Sequence, residues 1–186
     1  MQASTHTDTD ADQQFMAQAM GLAMQAADIG EVPVGALVVF DGKVIGQGYN
    51  QTISGHDPCA HAEIMALRQA AKAIGNYRLS GCELYVTLEP CTMCVGAIIH
   101  ARIKRLIYAA TEPKAGAVVS QLQLFSKTHY NHLVQVESGV MADESSAMLS
   151  HFFKQRRLSH KAKKTAVADS TSVPNFNIDQ PIDAVL

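Results

Sequence analysis

The residues with most chemistry to offer are His61-Ala62-Glu63 and, further along, Pro90-Cys91-Thr92-Met93-Cys94. Two thiolates and a neutral imidazole suit Zn2+ in charge and softness, and three protein ligands leave a fourth position for water, as a catalytic zinc requires. A structural zinc would need a fourth protein ligand; only Cys59 and His100 suggest themselves, and neither belongs to the motif. Cys91 and Cys94 stand one helical turn apart behind a proline that suits a helix start, where the dipole favours the thiolate forms that bind metal. Glu63 follows His61 by two positions, and residues so spaced do not share a helix face. The metal must therefore lie off the helix end, where first-turn side chains converge. There Glu63 reaches the water without ligating the ion, which is the place of a general acid/base. A zinc that only holds a fold together has no use for such a carboxylate.

The elements that must position these groups follow from the spacing of apolar residues. Met16, Ala19, Met20, Ala23, Met24 and Ala27 recur at helical intervals from Phe15 to Gly30, a first helix whose methionines are core packing. Ala36–Phe40, Asp41-Gly42 and Lys43–Ile45 read as a hairpin on an Asp-Gly turn, followed by a loop from Gly48 to Pro58. A helix is expected over 61–74, a buried strand over 83–88, a helix over 91–101, a strand over 105–109 and a short strand over 134–136. Between the last two strands, 111–120 is a glycine-containing loop. Asp143 opens a final helix, acidic at its start and basic near its end. Strands alternating with helices around two metal-bearing helix starts indicate a layered α/β/α domain.

Length and composition set the frame. The 186 residues suffice for one domain, expected over 13–165, with polar tails over 1–12 and 166–186 read as disordered. The longest apolar run near the start, Val32–Phe40, is broken by Pro33 and Gly35 and falls well short of the ~20 residues of a membrane span. The polar, acidic N-terminus has no secretory pattern, so a reducing cytoplasm is the expected location. The formal charge is −2, but setting aside the six acids of the tails leaves 15 bases against 11 acids, a body charge of +4. Lys154, Arg156, Arg157, Lys161, Lys163 and Lys164 fall within eleven residues that contain no acid, which is either a solvated helix end or a polyanion contact. Cys82 reads as a small buried hydrophobe and Cys59 as a bystander, while His56, His100, His129 and His132 read as local hydrogen-bonding groups.

The paired H-x-E and P-C-x-x-C motifs are those of zinc deaminases. Beyond them, Glu31-Val-Pro-Val-Gly-Ala36, His56–Glu63, Leu84–Cys94 and Gly96-Ala-Ile-Ile-His-Ala-Arg102 make the chain, over about residues 13 to 160, similar to the bacterial tRNA-specific adenosine deaminases. The resemblance implies the cytidine-deaminase-like fold, a three-layer α/β/α arrangement on a mixed five-stranded sheet. It also implies a homodimer, one zinc per chain, and conversion of the wobble adenosine of a tRNA anticodon to inosine. On matching positions, Asn50 resembles the residue that contacts the flipped-out nucleoside. Phe152-Phe153 and Arg156-Arg157 resemble the helix that meets the anticodon loop, and Glu112 lies in a loop that contacts RNA. Glu112 stands where the family commonly has Asp, Thr52 where Pro is usual, and Cys59 where Thr is usual. The rival reading is a salvage deaminase acting on a free nucleobase or nucleoside. The basic C-terminal helix argues against it, because a free base supplies no phosphate backbone to contact.

Overall fold

The computed structural model describes residues 10–127 and 130–170, with side chains to Ala162. Helix α1 (Asp10–Asp28) precedes a hairpin of β1 (Gly35–Phe40) and β2 (Lys43–Tyr49). Then come α2 (Ala62–Ile74), β3 (Glu83–Leu88), α3 (Thr92–His100), β4 (Arg105–Ala110), a 3-10 turn at Leu124–Ser126, β5 (Gln135–Ser138) and α4 (Ala142–Ser170). The strands form one mixed five-stranded sheet in the order β2-β1-β3-β4-β5. β1 is antiparallel to both β2 and β3, whereas β3, β4 and β5 run parallel.

Side-chain alternation along the strands builds two cores. Ala36 and Val38 of β1, Leu84 and Val86 of β3 and Leu106 and Tyr108 of β4 face α2 and α3, where Ala66, Ala70, Val95 and Ile98 meet them. Leu37, Val39, Tyr85, Ile107 and Ala109 face the other way, onto Met16, Ala19 and Leu22 of α1. Helices therefore cover both faces of the sheet, the expected three layers. The contact between α2 and β2 is unusually close. A Cβ on Gly46 would lie 2.4 Å from the Ala66 carbonyl oxygen, and one on Gly48 would lie 2.5 Å from the Ala62 carbonyl oxygen. Only glycine lets the two backbones meet there, and this fixes the height at which the first turn of α2 sits over the sheet.

Several boundaries differ from the sequence expectation. β2 runs on to Tyr49 because Gly46 and Gly48, which read as a break in a strand, are its helix-facing positions. β5 begins at Gln135, one residue late, and continues to Ser138. α1 starts at Asp10, so residues 10–12 belong to the domain and not to a tail. The reason is tertiary. Asp12 is buried and bonds the Arg105 guanidinium at 2.7 and 2.9 Å and the Tyr85 hydroxyl at 2.7 Å. Arg105 also reaches Glu83 and Glu137, tying α1 to β3, β4 and β5. Counting Asp10 and Asp12 with the body lowers its charge from +4 to +2. The expected disorder of 1–9 and 171–186 lies outside the described residues, while 166–170 are helical.

The chain divides into two compact units at Phe152/Phe153. In the first, the Ser145 hydroxyl donates to the Thr87 carbonyl at 2.5 Å and anchors the start of α4 to β3. The second contains the remainder of α4 from Phe153 onward, a helical stretch whose side chains are exposed through Ala162.

Candidate active site

His61 is the N-cap of α2 and Cys91 the N-cap of α3, each with extended backbone angles and neither capping its own helix through its side chain. Both side chains are thereby left to point off the helix ends. Cys94, three residues into the second motif, is fully buried beside them. The ligating atoms of His61, Cys91 and Cys94 all lie within 4.8 Å of one another, the one such group of three among the described residues. The Sγ atoms are 3.8 Å apart, and His61 Nδ1 lies 3.8 Å from Cys91 Sγ and 3.7 Å from Cys94 Sγ. Around a tetrahedral ion with ordinary Zn–S and Zn–N bonds, the S–S edge is about 3.8 Å and the S–N edge about 3.6 Å. The donor set therefore fits a tetrahedral zinc on three of its corners.

The electrostatics suit a cation. The hydrogen bond shared with Cys94, together with His61, holds Cys91 down to about 3, far below the ordinary thiol value. The same bond, burial and the nearby Glu63 push Cys94 up. His61 is raised by its hydrogen bond with Cys91 and by the charge of Glu63. Protons shared by three converging donors are what a divalent ion displaces, and the N-termini of α2 and α3 add positive dipole ends that favour anionic groups at the site. Glu63, in the first turn of α2, is 4% exposed, and burial pushes its carboxyl above the ordinary value. It stands beside Cys94 and outside the ligating group, so a buried carboxylate next to three donors meets the description of a proton carrier.

Two loops frame this cluster, and each is laced to a buried carboxylate that the motifs did not single out. Glu31, fully buried, accepts the backbone N–H groups of Ile53 and Ser54 at 2.7 Å and the hydroxyls of Ser54 and Thr52. Burial pushes this carboxyl up, but the bonds from Ser54, Ile53 and Thr52 outweigh it and leave Glu31 below its ordinary value. Glu89, 3% exposed, does the same for the segment after β4. Its carboxyl likewise lies low, burial being overcome by bonds from Ser120, Val119 and Glu112. The available signal was an acid set beside apolar stretches, before Val32-Pro33-Val34 and at the end of Leu84–Leu88. Thr52, where the family commonly has Pro, supplies one of the bonds to Glu31.

Asn50 links the segment before β1 to the start of α2. Its Nδ2 donates to the Val32 carbonyl at 3.1 Å and its Oδ1 accepts the Ala62 N–H at 2.9 Å, so it satisfies the first amide of α2 directly after His61. One N–H and one oxygen lone pair of the amide remain. Glu112 bends back to accept the Lys114 N–H at 2.9 Å. Phe153, Arg156 and Arg157 are exposed on the second unit of the chain. Cys59 is exposed, with its N–H donating to Asp57, and Cys82 is buried in the core. Neither Cys59 nor His100 joins the ligating group. His132 bonds the Ile103 carbonyl oxygen at 2.7 Å, a local role as expected, and His129 lies outside the described residues.

A helix-covered mixed sheet with two helix N-termini converging on a His/Cys/Cys cluster and an unligated glutamate is the cytidine-deaminase-like fold, and it defines a deaminase. The family model of MafB19-like deaminases matches residues 10–157. The chain is 51% identical over 154 residues to the tRNA-specific adenosine deaminase of Haemophilus influenzae, covering 82% of this chain and 89% of that one. With the Bacillus subtilis protein of the same name the identity is 37% over 158 residues, covering 85% and 98%. A tRNA:A34 deaminase studied for A-to-I editing at the wobble position of transfer RNA superposes with a TM-score of 0.71 at 47% identity, covering 73% of this chain and 98% of that structure. The guanine deaminase of Nitrosomonas europaea gives 0.62 at 25% identity, covering 75% and 83%. The chain belongs to the family of tRNA-specific adenosine deaminases.

Proposed function

We propose that this enzyme hydrolyses the wobble adenosine of a tRNA anticodon to inosine, with His61, Cys91 and Cys94 holding a zinc ion and Glu63 carrying the protons. The observation behind this is the convergence of two helix N-caps and Cys94 on edges that fit a tetrahedral ion, with buried Glu63 beside the set and outside it. Zinc, when bound, supplies Lewis acidity and a water whose pKa falls from 15.7 toward about 7. Glu63 takes a proton from the attacking water and passes it to ring N1 as the oxygen bonds C6. It then takes the remaining proton from the new C6 hydroxyl and delivers it to the exocyclic amine, which leaves as ammonia as the C6 carbonyl forms. Burial raises the affinity of Glu63 for the proton and so suits it to hold one between these transfers. Asn50 holds the start of α2 and keeps one donor and one acceptor for the nucleoside.

The reacting carbon is inaccessible in a stacked helix, so the adenosine is splayed out of the anticodon loop, where unstacking costs least. Arg156, Arg157 and the neighbouring lysines contact phosphates, Phe153 offers a stacking face, and Glu112 borders the RNA. A second copy of the chain covers the apolar depression formed by Ile64, Leu67 and Ala71 of α2 with Ala97 of α3 and Ala101 just beyond it, giving a homodimer. No described helix is long and apolar enough to cross a membrane, and an enzyme of tRNA works in the cytoplasm. The test is incubation of the purified protein with an anticodon stem-loop carrying adenosine at the wobble position, and with free adenosine and guanine. Inosine in the stem-loop and no turnover of the free compounds is expected; the reverse pattern would assign the site to nucleobase salvage.

A further inference from the structure

Glu89 is the last residue before the Pro90-Cys91 turn, and its carboxylate accepts five hydrogen bonds from one loop. Oε1 takes the N–H groups of Val118, Val119 and Ser120 at 3.0, 2.8 and 3.0 Å, and Oε2 takes the Glu112 N–H at 2.9 Å and the Ser120 hydroxyl. Four of the five partners are backbone N–H groups that can only donate, three at Oε1 and one at Oε2, so the ionised carboxylate is the form this loop favours. The two residues after Glu89 grip the same loop: the Pro90 carbonyl accepts the Ala117 N–H at 2.9 Å, and Cys91 pairs with Gly116. Gly116 packs so closely that a Cβ there would lie 2.4 Å from the Glu89 carboxyl. Three consecutive residues ending at a zinc ligand thus seat the base of the 112–120 loop, while its tip at Pro113, Lys114 and Ala115 stays exposed.

An exposed edge clamped this firmly beside a metal site is built to meet a large substrate in a fixed position, since a small molecule within the site would not need the tip. We infer that Glu89 is a positioning residue that sets the 112–120 loop as the edge on which the RNA strand flanking the target adenosine is read. This rests on the tRNA reading above. Glutamine at position 89 keeps the size of the side chain but turns an NH2 toward either the Glu112 N–H or the amides of 118–120, and so releases one end of the loop.

The test compares the parent with Glu89→Gln and Gly116→Ala, reading zinc content, amide hydrogen exchange, and kcat and KM on the anticodon stem-loop. Gly116→Ala keeps the carboxylate as a chemical group but drives it and the loop apart through the added Cβ, and it guards against failure of Glu89→Gln to fold. The expected result for both variants is one zinc per chain, exchange at 112–120 faster by tenfold or more, and KM raised about tenfold with kcat within threefold. Unchanged KM in variants whose loop exchanges faster would overturn the inference. So would loss of zinc or a fall confined to kcat, because Glu89 would then act on the Cys91 turn instead of the RNA edge. Failure of the parent itself to deaminate the stem-loop would refute the tRNA reading, a separate result.

Discussion

Replacing Gly48 by alanine tests whether the β2 backbone sets the position of His61. The new Cβ would lie 2.5 Å from the Ala62 carbonyl oxygen, 2.5 Å from Met65 Cβ and 2.6 Å from the Ala66 N, about 0.9 Å short of an ordinary 3.4 Å contact. Two of these neighbours are backbone atoms of the first turns of α2, so no side-chain rotation relieves the clash, and the helix start must lift by most of that distance. Overpacking of this kind costs about 1–3 kcal/mol, which for a chain of this size lowers Tm by roughly 3–10 °C. The chemical consequence is larger, because metal–ligand distances are held to about 0.2 Å. His61 Nδ1, now 3.7 and 3.8 Å from the two sulfurs, would leave the third corner of the tetrahedron. Zinc affinity is therefore expected to fall at least tenfold, measured by competition with a chromogenic chelator, alongside the melting curve. Gly21→Ala is the control: that glycine is exposed in α1 with nothing within 4 Å of the added carbon, and the change should stabilise by up to about 1 kcal/mol with zinc binding unaltered. Full zinc affinity in Gly48→Ala would show that the edge strand yields, and that its glycines do not set the height of α2.

Three further outcomes follow from the same structure. Glu63→Gln should retain one zinc per chain, measured by elemental analysis, and lose at least ~100-fold in kcat on the stem-loop, since proton transfer and not ligation is removed; normal turnover would refute its role. Arg105→Met should cost about 3 kcal/mol in urea unfolding by removing the cation shared by Asp12, Glu83 and Glu137; a loss under about 1 kcal/mol would show that the cluster does not hold α1 to the sheet. The carboxyl of Glu31 lies below its ordinary value in the folded chain, so its bonds stabilise fully above about pH 4.5, and that contribution disappears as the pH falls through the folded value. Glu31→Gln should accordingly be less stable than the parent at pH 7, with the gap closing in acid; a constant gap between pH 7 and pH 3 would show that charge plays no part.

How much of the site was legible depends on how local its signals are. His61, Glu63, Cys91 and Cys94 could be read directly, because metal ligation restricts residue types and the i+2 and i+3 spacings place them in first helical turns. Strand β3 was legible to the residue because a buried strand is a short apolar run bounded by punctuating residues. β2 was cut short because Gly46 and Gly48 signal a break locally, and their purpose shows only once α2 lies against them. Asp12 looked like one of several tail acids, and nothing near it in sequence announces that Arg105 waits 93 positions away.

The sequence by itself determined which residues are candidates for the chemistry of this protein: His61, Cys91 and Cys94 as a donor set that the fold then brings within 4.8 Å, Glu63 as the carboxylate beside it, and the two helix starts that present them. The tertiary structure alone decided what each remaining carboxylate is for. Glu31, Glu83, Glu89 and Glu137 are the same residue type in unremarkable settings, yet two lace loops through backbone amides and two join the cluster around Arg105. A carboxylate accepts from any donor that the fold brings within about 3 Å, and that choice is made by strand order and loop closure, which local sequence does not encode.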